Sequence, residues 1–167
     1  MYGGHMGFAL AGGGVGPRPP LAVLFPAAFA PDLTRLMLRF GGVSPPMDDV
    51  IGGSVMTTLL LAGAASLAWT AWSRDPGGGA VVGGVVVSHA AGDFVQQSVP
   101  LWPGGPDAGL MLAGAPILDH GVQLVFIGAG WWLYRRGVRS SRSWEVWAVL
   151  ALVLGAHGAS LLYRTVF

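Results

Sequence analysis

Long apolar runs alternate along this chain with short breaks rich in glycine, proline and arginine. Residues 51–72, "IGGSVMTTLLLAGAASLAWTAW", hold no charge at all. A bilayer core of about 30 Å takes about 20 helical residues to cross, so this run is long enough to span. Residues 79–102 form a second run containing His89 and Asp93, residues 109–134 a third containing Asp119 and His120, and residues 144–163 a fourth containing His157. Trp69, Trp72, Trp102, Trp131, Trp132, Tyr134, Trp144, Trp147 and Tyr163 cluster near the ends of these runs, as the aromatic belts of the two membrane interfaces do. The pattern predicts an all-α polytopic membrane bundle of four to five spans, a single domain over residues 1–167.

The first forty residues break this rhythm. A short apolar piece, "GHMGFALAGGGVG", is closed by "PRPP", and "LAVLFPAAFAPDLTRLMLRF" follows, interrupted by Pro26 and Pro31. Proline inside a helix removes a backbone donor and kinks it. Residues 1–40 are therefore expected to form a broken or re-entrant region preceded by a short N-terminal piece. Non-helical backbone at membrane depth is tolerated only where protein or water covers it, so this region is expected to line a cavity.

Composition agrees with the membrane reading. Only 10% of residues are charged, 53% are hydrophobic and the mean hydropathy is +0.60, whereas soluble domains carry about 25% charged residues. The net charge of +1 leaves no basic face for nucleic acid. The absence of cysteine excludes disulfides, thiolate nucleophiles and Cys-based metal sites. The N-terminus "MYGGHMGFALAGGGVG" lacks the basic n-region of a cleavable signal peptide. All nine basic residues are Arg, and the Ala/Gly/Val/Arg/Pro bias suggests a GC-rich bacterial genome, hence the bacterial cytoplasmic (inner) membrane. Arg135, Arg136, Arg139 and Arg142 in "YRRGVRSSRSW", and Arg74 in "SRDPGGG", assign both loops to the cytoplasm by the positive-inside rule. The loops "PLWPGGPDAG" and "RFGGVSPPMDD" then face outward with the C-terminus, against the pull of Arg35 and Arg39. Membrane lipids are the expected partners, with other membrane subunits as a further class.

His89 and Asp93 are the strongest chemical signal. Four residues apart, they share one helix face. Ionisable groups inside spans are costly and face the bundle interior, paired or functional. Imidazole and carboxylate also ligate zinc and other divalent metals, while a plain His–Asp hydrogen bond that fixes helix packing fits the same spacing. His5 and Asp32 form the next pair, although a carboxylate after Pro31 also suits a helix cap. Asp119 and His120, adjacent on a helix, point about 100° apart, and one of them is expected to meet the His89/Asp93 face across helices. His157, between Gly155 and Gly158, reads as a packing histidine, with haem or chlorophyll ligation as the alternative. Asp48 and Asp49 suit a helix N-terminus. The run "AGGGVG" lacks the Gly-Lys-Ser/Thr ending of a phosphate loop, and "VVGGVVV" reads as a close helix contact. There is no Gly-x-Ser-x-Gly elbow and no His-Glu-x-x-His.

Taken in order, "GHMGFAL", "APDLTR", an apolar span, "SHAAGDF" and "PLWPGGP" make the chain resemble the bacterial membrane-bound metal-dependent hydrolases (YdjM-type), over roughly residues 3–136. The resemblance implies metal ligation by His5, Asp32, His89 and Asp93, with Asp32, His89 and Asp93 as catalytic residues and zinc or manganese as the metal. It departs from that pattern twice. Where the family carries Ser-His-Ser-Leu, this chain reads "IGGSVMTTL", with Gly53 at the histidine and Ser54 after it. Thr34 replaces the second carboxylate of the Leu-Pro-Asp-x-Asp form. The function implied is a membrane-embedded metal-dependent hydrolase with an incomplete ligand set, acting on a lipid-linked or phosphoester substrate, with Asp48 or Asp49 as a substitute ligand. The alternative is a non-catalytic structural or accessory subunit of a larger membrane complex, associated with pigment or haem. A small transporter with an Asp/His proton relay ranks last, because no internal repeat of the transporter kind is visible.

Overall fold

The computed structural model describes residues 2–15, 19–45, 47–138 and 143–166. Proline, glycine and capping residues divide them into eight α-helices: α1 (Tyr2–Gly14), α2 (Leu21–Ala28), α3 (Ala30–Phe40), α4 (Met47–Gly52), α5 (Val55–Ser73), α6 (Pro76–Gln96), α7 (Pro116–Gly137) and α8 (Ser143–Val166). Between α6 and α7 lie a two-residue antiparallel ladder, β1 (Val99–Pro100) with β2 (Asp107–Ala108), and a 3-10 turn at Leu112–Gly114. The chain is mostly helical, as its apolar pattern predicts.

Among the described residues, α5 and α6 are each long and apolar enough to cross a membrane. Helices α2 and α3 together make a third apolar stretch, bent by 61° at Phe29. Pro26 lies inside α2 and Pro31 opens α3, so the predicted break falls where the prolines remove backbone donors. The other two apolar runs form α7, which carries Asp119, Arg135 and Arg136, and α8, whose apolar stretch is Val146–Ala159.

Boundaries shift from the predicted runs for local reasons. The run at 51–72 is two helices, because α4 ends at Gly52 and Ser54 starts α5 as its N-cap, accepting from the Thr57 N–H at 3.2 Å. Arg74, in the left-handed region at φ 55°, ends α5, and Asp75 caps α6 by accepting from the Gly78 N–H at 3.0 Å. A side-chain cap of this kind supplies a partner for an orphan N–H of the first turn. The run at 79–102 leaves the helix after Gln96, where "PLWPGGP" turns into the ladder. The run at 109–134 becomes helical only from Pro116, whose fixed φ suits the first helical position.

Glycines set the closest helix contacts. A Cβ on Gly130 would overlap the Gly7 carbonyl, and one on Gly137 would overlap the carbonyl of Gly14. Helices α1 and α7 therefore touch backbone to backbone at two points one heptad apart. On α6, a Cβ at Gly79 would crowd the Ser66 carbonyl of α5 and one at Gly83 the Ala62 carbonyl. Small residues permit this approach where lipid removes the hydrophobic drive for helix association. Helix α1 consequently sits at the centre. One apolar cluster joins it to α2, α5 and α6 through Ala9, Leu24, Ala62 and Val86. A second joins it to α7 and α8 through Leu10, Ile127 and Val153. Leu60, Leu67, Val125 and Leu152 point outward, as lipid-facing side chains do.

At the far end of α7, the Arg135 guanidinium lies 5.5 Å from the Trp131 ring and 5.7 Å from the Trp147 ring, and Arg136 lies 3.8 Å from Trp132. Arginine and tryptophan thus share one interface. Arg139 and Arg142 of the same loop lie outside the described residues. A Gly130→Val variant is expected to force α1 and α7 apart and to lower unfolding stability by about 1–3 kcal/mol, the usual scale of overpacking. Thermal melting in detergent checks this, with Gly128→Val, whose added side chain meets open space, as the unaffected control.

Candidate metal centre

One face of α6 carries His89, Asp93 and Gln96, four and then three residues apart, and all three are buried. Two other helices bring groups to the same place. Helix α1 supplies His5, fully buried, and the first turns of α3 supply Asp32 and Arg35. His5 Nε2 lies 3.5 Å from Asp93 Oδ1. His89 Nε2 lies 3.3 Å from Asp93 Oδ2 and 3.6 Å from Asp32 Oδ1. The His5 and His89 rings stack at 3.9 Å, 11° from parallel, and Phe29 meets His5 edge-on at 5.7 Å.

These spacings match a shared cation. A tetrahedral ion with bonds of about 2.1 Å sets its ligand atoms about 3.4 Å apart. Ligand atoms of His5, His89 and Asp93 all lie within 4.8 Å of one another. Asp32, with 32% of its side chain exposed, stands on the open side of the group.

The tautomer of His89 sharpens the point. Its Nδ1 lies 2.8 Å from the Ala28 carbonyl oxygen at the end of α2, and only an N–H can donate to a carbonyl. Nε2 then meets two carboxylate oxygens, contacts that are favourable with either a proton on Nε2 or a metal ion between the groups. Fixing one ring nitrogen by a backbone carbonyl is the usual second-shell arrangement of a metal-ligating histidine. Neither ring nitrogen of His5 has a hydrogen-bond partner among the described residues, nor does His89 Nε2. Buried polar atoms without partners are uncommon in native proteins.

Arg35 is the functional residue that the apolar-run pattern did not single out. Its Nη1 donates to Asp32 Oδ1 at 3.1 Å, and its Nη2 lies 3.6 Å from Asp93 Oδ2. The available signal was its position one turn after Asp32 on the same helix face. Two carboxylates and one guanidinium give this group a charge of −1 before its two imidazoles are counted. A proton on one imidazole or a bound cation balances that charge.

Other predicted residues go elsewhere. Asp48, the proposed substitute ligand, is fully buried and pairs with Arg39 of α3. The side chain of Asp49 lies outside the described residues. Thr34 Oγ1 donates to the Ala30 carbonyl of its own helix at 2.9 Å. Ser54 caps α5, and Gly53 is buried beside Gly52, where an added Cβ would meet the Arg35 side chain at 2.7 Å. Thr34 thus serves its own helix where the resemblance expects a carboxylate.

Asp119 does meet the polar face of α6, at Gln96. Gln96 Nε2 and Gln123 Nε2 both donate to Asp119 Oδ2 at 3.0 Å, and the Gly3 N–H donates to Gln123 Oε1 at 3.2 Å. This network ties α1, α6 and α7 together directly beyond Asp93. His157 is buried and meets His120 edge-on at 6.0 Å.

Compared with protein-family models, curated proteins and solved structures, the chain matches none.

Replacing Asp119 by Ala strands the Gln96 and Gln123 amides, and is expected to cost about 1–3 kcal/mol of stability, the penalty of unpaired buried donors. Asp119→Asn, which keeps one acceptor, is expected to cost less. Melting curves of both variants check this, and both are expected to retain the metal content of the parent protein.

Proposed function

We propose that this chain is a multi-pass protein of the bacterial cytoplasmic membrane that holds one divalent metal, zinc or manganese, and hydrolyses a lipid-linked or phosphoester substrate. His5, His89 and Asp93 serve as buried ligands and Asp32 as the ligand on the open side. The observation that carries this reading is the convergence of His5, Asp32, His89 and Asp93 at 3.3–3.6 Å while His89 Nδ1 is committed to Ala28. A divalent metal at this place supplies Lewis acidity and a lowered pKa for bound water.

The chain's own residues do the rest. The Ala28 carbonyl holds the His89 ring in one tautomer. Arg35 holds Asp32 and Asp93 in a fixed relation. Asp32, the most exposed carboxylate of the group, takes the proton of the attacking water. Substrate arrives from the bilayer, between helices whose outer faces are apolar. The resemblance of "SHAAGDF" and "PLWPGGP" to the membrane-bound metal-dependent hydrolases supports the same chemistry. Thr34 and Gly53 offer no ligand, so the reading is a one-metal centre.

The same two residues favour a second reading, a non-catalytic accessory subunit of a larger membrane complex whose histidines are structural or bind a pigment or haem. Elemental analysis of protein purified in detergent separates the two. The hydrolase reading expects about one zinc or manganese per chain, lost in His89→Ala and Asp93→Ala. Asp32→Asn, assayed with metal in excess, is expected to lose at least about 100-fold in hydrolysis of a phosphodiester, the scale of general-base catalysis. Metal-free protein that co-purifies with other subunits, or a visible absorption band of haem or chlorophyll, overturns the hydrolase reading.

A further inference from the structure

The last turn of α7 carries two arginines that no described acid answers. Arg135 and Arg136 are exposed, and among the described residues neither pairs with a carboxylate. The arginines of α3 differ, because Arg35 pairs with Asp32 and Asp93, and Arg39 with Asp48. Between Trp131 and Trp147 the sequence holds four arginines and one acidic residue, Glu145, a net charge of +3. Glu145 can offset only one of the four. This end of α7 is about 24 Å along the helix from Asp119, well away from the metal centre.

Tryptophans hold the two cations without neutralising them. Arg135 Cζ lies 5.5 Å from the centre of the Trp131 ring and 5.7 Å from that of Trp147. Those two rings, one from α7 and one from α8, meet at 4.9 Å. Arg136 Cζ lies 3.8 Å from the centre of the Trp132 ring. A ring face attracts a guanidinium through its quadrupole but carries no charge, so the positive charge stays available to an anion. Trp132 and Trp147 are themselves 48% and 51% exposed. An indole with one apolar body and one polar N–H suits the headgroup level of a bilayer.

The surroundings select the anion. A planar guanidinium matches phosphate oxygens, which it binds in pairs. Val125 lies one heptad before Trp132, on the same face of α7, and it is exposed, as is Leu152 of α8. The charged shelf therefore continues into an apolar wall. A ligand that meets both parts carries a phosphate at one end and hydrocarbon at the other. The positive-inside rule assigns this end of α7 to the cytoplasm, and basic groups at that level attract acidic lipids.

We propose that Arg135 and Arg136, set on Trp131, Trp132 and Trp147, form a site for an acidic phospholipid, with its phosphate on the two guanidiniums and its acyl chains along Val125 and Leu152. The proposal rests on the membrane part of the reading above and is independent of the metal.

Tryptophan quenching of the full chain in phosphatidylcholine vesicles tests it, with brominated phosphatidylglycerol or brominated phosphatidylcholine as the minor component. The acidic lipid is expected to be preferred at least about tenfold, from two basic residues close to it. Arg135→Gln and Arg136→Gln are each expected to lower that preference about fivefold. Arg136→Gln covers the case in which Arg135→Gln loosens α8, since Arg136 stacks on Trp132 of its own helix. Arg74→Gln is the control. Arg74 is exposed and assigned to the same membrane face, but among the described residues it stacks on no tryptophan, and its loss is expected to leave the preference unchanged. A drop in Arg74→Gln as large as that in Arg136→Gln shows diffuse charge attraction and overturns the site. Relief of the quenching by soluble glycerophosphoglycerol overturns the lipid as ligand. Equal quenching of the parent protein by both lipids sinks the site alone, whereas quenching by neither sinks the membrane reading itself.

Discussion

The hydrogen bond from His89 Nδ1 to the Ala28 carbonyl, 2.8 Å long, is the contact on which the centre of this protein depends. It joins α6 to the end of α2 at the place where the proline-broken chain turns by 61° into α3. It also decides which nitrogen of His89 faces the carboxylates. Without the break, no carbonyl at that level would be free of its own helix, and the first turns of α3 would not present Asp32 and Arg35 to α6. Chain disruption and site construction are therefore the same event. Buried irregular backbone needs partners for its polar groups, and here an imidazole supplies one.

Close helix packing lets the polar groups converge. Glycines on α1 and α7, and on α6 against α5, bring backbones into contact. That places His5 in the middle of the bundle, within reach of a helix it does not neighbour in sequence. The polar line along α6 then runs through two networks. His89 and Asp93 meet His5, Asp32 and Arg35, while Gln96 meets Asp119 and, through it, Gln123. The second network sets the Asp119 carboxylate between two amide donors. The first keeps imidazole nitrogens without hydrogen-bond partners. Its two imidazoles mark the first as the group suited to a metal, although both lie on one helix face.

Much of the architecture was legible from pattern alone. Helical content followed from the apolar runs, and the break near Phe29 followed from Pro26 and Pro31. The i, i+4 spacing of His89 and Asp93 placed them on one face. Element boundaries were less legible, because Ser54 acts as a cap inside an apolar run and "PLWPGGP" folds as a hairpin where hydropathy alone continues the span. Arg35 escaped notice because an arginine near a predicted loop reads as a topology signal. Asp48 showed the converse error: an acidic residue open to ligation on paper is taken up by Arg39.

By itself the sequence determined that the chain is mostly helical, where the chain must break, and which residue types are available for chemistry. These are local properties, set by hydropathy, proline and helical period. Only the tertiary structure decided that His5, Asp32 and Arg35 join His89 and Asp93, that Asp119 meets Gln96, and that a cavity opens beside Arg35. Those outcomes depend on how closely helices approach and on which carbonyl a given imidazole reaches. Such distances are set between segments far apart in the chain, where no periodicity in one segment constrains its position against another.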